Sequence, residues 1–405
     1  MNASRTASST GLVVAAAAML MLTMGARQTT GLFVAPIHLD TGVGIATISL
    51  ALAIGQFVWG AVQPVFGAIA DRHGPEPVLV AGGLLLTAGL ALVPFLATGP
   101  GLMLTLGVLT AAGAGAGSFS ILIGATAGRL PAERRSFAAG FINAGGSLGQ
   151  FVFAPLLQLV IGAAGWTAAM LGMAATSLLT LPLARVFRRR PGQAAVVHEG
   201  AEDRGLRHQL GIALRDRSYW LLHLGFFTCG VHVAFLVTHL PGEVALCGLP
   251  ASVSAVSIAL IGLFNIAGSL LAGKLGERFR MKWILALMYA SRALLIALFL
   301  LAPKTALTFY LFAAGLGFTW LATVPPTAGL VGKLFGPRYL GTLFGLTLFS
   351  HQVGGFFGAW LGGIALERSG SYDWMWYADM ALATVAALAH VPVREKAVAT
   401  AAAAA

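Results

Sequence analysis

The stretch Gly67-Ala68-Ile69-Ala70-Asp71-Arg72-His73-Gly74 decides how this chain is read. An apolar run arrives before it and another leaves after it. Its small residues suit close helix packing, and Asp71 and Arg72 place a charged turn at a membrane surface. About 200 residues later a weaker copy returns as Gly273-Lys274-Leu275-Gly276-Glu277-Arg278. The two read as the same corner of two related halves.

Hydrophobic residues make up 58% of the 405 and charged residues only 10%. A soluble globule carries about 25% charged residues, so this chain cannot cover a water-facing surface with charge. Apolar stretches of roughly 20 residues recur, the length a helix needs to cross a bilayer. They are continuous, without the alternation of a membrane barrel. The 52 glycines fit close helix contact in lipid.

The formal charge of +11 invites a nucleic-acid partner, but its distribution argues against one. Twelve spans are expected, at about 11–38, 44–70, 78–97, 101–128, 137–162, 166–187, 218–246, 252–273, 283–302, 305–332, 340–365 and 373–392. Lys304 and Arg368 then fall on one face and Arg27 and Arg292 inside; every other Lys and Arg falls on the opposite face. This is the positive-inside pattern, which puts both termini in the cytoplasm of a multi-pass inner (plasma) membrane protein. The expected organisation is a six-helix half over 1–187, a cytoplasmic linker over 188–217, a second six-helix half over 218–396 and an alanine-rich tail over 397–405. The first apolar run is too long for the core of a cleavable signal.

An internal repeat runs at an offset of about 205 residues. Gly25-Ala26-Arg27 aligns with Gly230-Val231-His232, and Ala144-Gly145-Gly146-Ser147-Leu148-Gly149 aligns with Phe349-Ser350-His351-Gln352-Val353-Gly354. Two such halves form the transporter architecture in which a site lies between them.

With Gly67, Asp71, Arg72 and Gly74 between spans two and three, the chain resembles the major facilitator superfamily over nearly its whole length. Within it, the chain looks most like the bacterial monocarboxylate and oxalate/formate branch. The cues are Gly25-Ala26-Arg27-Gln28-Thr29-Thr30-Gly31-Leu32-Phe33, Pro131-Ala132-Glu133-Arg134-Arg135, and Ala144 to Gln150 with Pro155. The resemblance implies an all-α fold of twelve transmembrane helices in two pseudo-symmetric halves, and alternating access. Two departures stand out. Monocarboxylate transporters resemble one another in an Asp and an Arg one turn apart in span eight, where this chain has Asn265 and Ser269. Oxalate-type transporters rely on a span-eight Arg and a span-eleven Lys, where this chain offers His351. Substrate identity and proton coupling therefore do not carry over.

A charge near the bilayer centre is costly and marks a functional site or a buried pair. Arg27 lies in span one, roughly 22 Å along the helix axis, suited to gripping a carboxylate with two parallel hydrogen bonds; snorkelling to the surface is the alternative. His232 takes the equivalent place in the other half. His232 and His351 could bind an anion or carry a coupled proton, or sit neutral in the bundle. Arg292 in span nine either lines the cavity or pairs with Asp379 of span twelve. Asn143, Asn265, Gln56 and Gln150 offer uncharged polar groups, or helix–helix glue. Phe33, Phe235 and Phe264 would accept a short carbon chain. Trp320 to Thr327, with Pro325 and Pro326, interrupt span ten. The corners at Gly67, Asp71, Arg72 and Gly74 and at Glu277 and Arg278 would latch the cytoplasmic side.

No hydrolase, nucleotide-binding or metal motif survives inspection, so no enzyme, cofactor or metal is expected. Gly113-Ala114-Gly115-Ala116-Gly117 is tight packing, and Cys229 and Cys247 are free thiols. The preferred reading is a secondary transporter of a small organic anion, a monocarboxylate or dicarboxylate, with a proton or counter-anion as second cargo. Membrane lipid is the only other partner implied, and nothing calls for more than a monomer. The alternatives are an exporter of amphipathic or drug-like compounds, which needs an acid such as Glu243 or Asp379 in the cavity, and a non-transporting ligand sensor.

Overall fold

The computed structural model describes residues 3–127, 129–130, 132–188, 206–336 and 339–396, with the backbone alone for 3–9, 71, 127, 132–137, 139 and 277. Nine helical stretches are long and apolar enough to cross a membrane: Thr10–Thr41, Ile45–Ala70, Pro75–Phe95, Gly99–Thr126, Gly140–Phe187, Arg217–Leu246, Ala251–Gly276, Met281–Leu301 and Ala306–Phe335. The stretch Gly140–Phe187 holds two spans, because Gly165 (φ 82°) turns the chain inside it. Leu340–Ser369 and Asp373–His390 complete the set of 12 helices.

The corner that opened the sequence reading is narrower than expected. The helix Ile45–His73 continues through Asp71 and Arg72, and Gly74 alone (φ 92°) makes the turn. Glycine tolerates that backbone, and Pro75 starts the next helix with its φ already set. Gly67 meets only ordinary contact, with Ile121. The second corner behaves alike: Ala251–Arg278 is helical to its end. Arg72 and Arg278 are exposed there, and the side chains of Asp71 and Glu277 lie outside the described residues, as does Pro131. Within the expected linker, Leu206–Arg215 forms a helix whose Gln209 donates to the Phe335 carbonyl at 3.1 Å; 189–205 and the tail 397–405 lie outside the described residues.

The repeat has a packing counterpart. In the first half, Gly149 of span five presses against the carbonyl of Met21 in span one. In the second, Gly354 of span eleven presses against the carbonyl of Phe227 in span seven. Any side chain at either glycine would collide with backbone, so the backbones themselves touch.

The halves meet along spans two and eleven and along spans five and eight. Gly60 receives the Gln352 side chain, and the Phe57 and Phe349 rings meet edge-on at 5.5 Å. Asn265 Nδ2 donates to Ser147 Oγ at 2.9 Å. The face away from the termini is clamped. There Gly31 lies against the carbonyls of Val237 and Thr238, Gly363 against Ser49, and the Ala46 amide donates to Glu367 Oε1 at 2.7 Å. On the face carrying the termini, the described ion pairs stay within one half: Arg188–Glu76, Lys333–Glu395 and Arg394–Asp216.

Candidate functional site

Span one does not run straight. Its helix ends at Gln28, one residue after Arg27, and a tight turn over Thr30–Phe33 precedes a fresh helix at Val34. Threonines satisfy the carbonyls loosened by the break: Thr29 Oγ1 donates to Gly25 O at 2.8 Å and Thr30 Oγ1 to Arg27 O at 3.0 Å. The expected continuous span over 11–38 did not include this break.

Arg27 thus projects from the last turn of a helix into a cavity of about 30 Å³ lined by Gln56, Leu52, Thr30, Leu106, Thr110 and Ala114, among others. The cavity lies among spans one to four, within the first half and not midway between the halves. Its volume suits a water or two. The guanidinium donates to Gln56 Oε1 and sits 4.4 Å from the Trp59 ring centre. Only one of its five donors has a protein acceptor among the described residues, and no carboxylate pairs with it. Arg27 is half-buried. Gln56 in turn packs on Gly355 of span eleven, so the Arg27 site touches the second half through one amide.

Span four supplies the opposite wall with an unexpected geometry. Residues Met103–Thr110 wind as wide π turns, eight residues long. Such turns are rare and concentrate at functional sites. Here they carry Leu106 and Thr110 to the cavity. Gly107 permits it, since a side chain there would meet the Ala51 carbonyl.

The second half gathers the other charged candidates in a separate cluster. The expected Arg292–Asp379 pair does not form. Asp379 Oδ2 lies 2.5 Å from His232 Nδ1, with the two side chains 0% and 1% exposed. Arg292 turns instead to span ten, donating to the carbonyls of Thr319 and Trp320, the latter at 2.7 Å, and to Cys229 Sγ at 3.3 Å. The physical reason is the break in span ten. Its helix stops at Thr319 and restarts at Val324, with Pro325 and Pro326 in the first turn, leaving carbonyls without amide partners. A fixed guanidinium caps them, and Asn265 Oδ1 takes the freed Leu321 amide at 3.0 Å.

Arg292 and Asn265 are therefore satisfied within the protein and are not brought to Arg27. Asn143 is half-buried on span five. His351 is 8% exposed, bonds Gln352 at 3.1 Å through Nδ1 and has no hydrogen-bond partner for Nε2 among the described residues. None of the three aromatic candidates lines this cavity. Phe33 and Phe235 are each 1% exposed, and Phe235 packs on Trp376 at 5.0 Å, while Phe264 meets Phe318 at 5.1 Å. Trp59 and Leu52 take the apolar role beside Arg27. Both cysteines are free.

Among curated relatives, the chain is 26% identical to the oxalate:formate antiporter of Oxalobacter formigenes over 383 residues, 92% of this chain and 90% of that one. It is 28% identical to monocarboxylate transporter 13 of Rattus norvegicus, covering 80% of this chain and 73% of that one. Among solved structures, the D-xylose-proton symporter superposes with a TM-score of 0.73 over 96% of this chain and 98% of that one, at 16% identity, which is a likeness of fold alone. The family model described as Major Facilitator Superfamily matches residues 16–359. Twelve spans in two like halves and a family match over most of the sequence agree: this chain belongs to the Major Facilitator Superfamily, as a membrane transporter and not an enzyme.

Proposed function

We propose that this transporter carries a small organic anion, a monocarboxylate or dicarboxylate, and that Arg27 grips its carboxylate. One observation carries the reading: Arg27 borders a cavity with a single amide partner and no acidic neighbour among the described residues. A guanidinium held in a low-dielectric bundle without a counter-charge favours an anion that brings one. The oxalate:formate antiporter and the monocarboxylate transporter named above support the same class. The exporter reading needs a free acid, yet Asp379 holds His232 and Glu243 accepts from Trp376 at 3.1 Å.

By the distribution of Lys and Arg, the termini face the cytoplasm of the plasma membrane. The clamped face is then the outer one, and transport proceeds by rocking the two halves. A thermal-shift screen of the purified protein with short carboxylates, phosphates and cationic drugs tests the class, since a ligand of the folded state raises its melting point. Carboxylate hits that vanish in Arg27→Ala support the reading. Hits confined to cationic drugs, or carboxylate hits unchanged in Arg27→Ala, overturn it.

A further inference from the structure

We infer that the buried His232–Asp379 pair is a proton-binding site, held in the second half and separate from the Arg27 guanidinium of the first. The inference rests on the anion-transport reading above and adds the second cargo to it. His232 Nδ1 and Asp379 Oδ2 meet at 2.5 Å, sealed from solvent. Each partner also has a second polar atom, His232 Nε2 and Asp379 Oδ1, that is buried with no hydrogen bond among the described residues. Buried polar atoms are nearly always satisfied, and each exception calls for a cause. His239, on the same helix two turns on, shows what a structural histidine looks like here. Its Nε2 bonds the Ala359 carbonyl at 2.7 Å and its Nδ1 the Tyr372 hydroxyl at 3.4 Å. His232 could have been built that way and was not.

The surroundings set the charge balance. Span seven adds Cys229, one turn before His232, and spans nine and eleven add Arg292, Tyr289 and His351. Span ten presents the Trp320 ring at 6.0 Å from the His232 ring, and span eight the neutral Asn265. With His232 neutral, two guanidiniums and one carboxylate leave the mid-membrane interior with a single net positive charge. A bound monoanion cancels it, and a proton on His232 restores it. The empty carrier and the carrier holding both anion and proton therefore have the same interior charge, the condition for electroneutral symport.

The step balances simply. In the proton-free pair, His232 Nδ1–H donates to the Asp379 carboxylate, which fixes the tautomer and leaves a lone pair on Nε2. A proton from water at one face adds to Nε2 and leaves to water at the other. Trp320 connects the pair to the moving parts. Its ring faces His232, and its carbonyl belongs to the span-ten break that Arg292 caps.

The test uses the full chain in proteoliposomes with labelled lactate and oxalate. Exchange is measured without a pH gradient, and net uptake with an alkaline interior. Proton uptake on anion binding is read with a pH dye in weakly buffered detergent solution. Wild type is expected to show gradient-stimulated uptake and a proton taken up for each anion bound. His232→Gln and Asp379→Asn are expected to keep exchange and lose both proton readouts, and Asp379→Glu to regain them in part. Gradient stimulation that persists in both neutral variants, or a wild type that exchanges anions with no proton readout, overturns the site and leaves anion transport standing. A wild type that neither binds nor exchanges these or other carboxylates removes the anion reading and the proton site with it. Should Asp379→Asn fail to fold, His232→Gln and the wild-type proton count decide the matter alone.

Discussion

The Arg292 guanidinium donates to the carbonyl oxygen of Trp320 at 2.7 Å. A further bond reaches Thr319, and the side chain is 1% exposed. The second interior guanidinium therefore holds a helix break closed and does not face open space. Arg292→Leu leaves those carbonyls without a donor, at about 1–3 kcal/mol each. The expected outcome is a lower melting temperature for the purified protein, with anion affinity of the folded fraction unchanged. A variant as stable as wild type would contradict the capping role.

Arg27 predicts a different signature. Arg27→Lys keeps the charge and loses the planar fork that meets a carboxylate with two bonds. The expected loss is about 1.5–3 kcal/mol of anion binding, roughly ten- to hundredfold in affinity. Titrated thermal shifts measure it, and the melting point without ligand should move little. A lysine variant with wild-type affinity would show that charge alone matters at this position.

How much of this the sequence disclosed follows from what kind of signal each feature leaves. The spans were legible because twenty apolar residues in a row have few other uses, and the repeat because Gly25, Gly149, Gly230 and Gly354 recur at one offset. Arg27 stood out for the same reason: a charge in oil is conspicuous. Partners were not legible. The sequence suggested Arg292 as the partner of Asp379; the structure pairs Asp379 with His232 instead, because the break in span ten claimed the guanidinium. The π turns of Met103–Thr110 left no mark either, since they depend on how glycines of span four meet span two.

The two backbone contacts should respond alike. Gly149→Leu and Gly354→Leu each push a side chain into a carbonyl, of Met21 and Phe227 respectively. Overpacking costs about 1–3 kcal/mol where side chains can give way, and backbone gives way less. Both variants are expected to melt at clearly lower temperature or fail to fold, by matched amounts. Gly11→Leu, where no atom lies within 4 Å, serves as the control.

The clamp at the face away from the termini is testable by accessibility. Glu367 takes the Ala46 amide at 2.7 Å, and Ser49 beneath it is 0% exposed. Glu367→Ala removes a charge-assisted bond of about 1.5–3 kcal/mol, which shifts the balance of states by roughly tenfold or more. In a background with Cys247→Ser, Ser49→Cys should then react faster with a membrane-impermeant maleimide. Unchanged labelling would show that the clamp rests on the Gly31 and Gly363 contacts alone.

Those glycine-to-carbonyl seams also say where bending is forbidden. With no side chain between them, span one cannot slide on span five, nor span seven on span eleven, without tearing backbone from backbone. Each six-helix unit is consequently a stiff jaw, and the flexing falls to the broken helices, span one beside Arg27 and span ten beside His232.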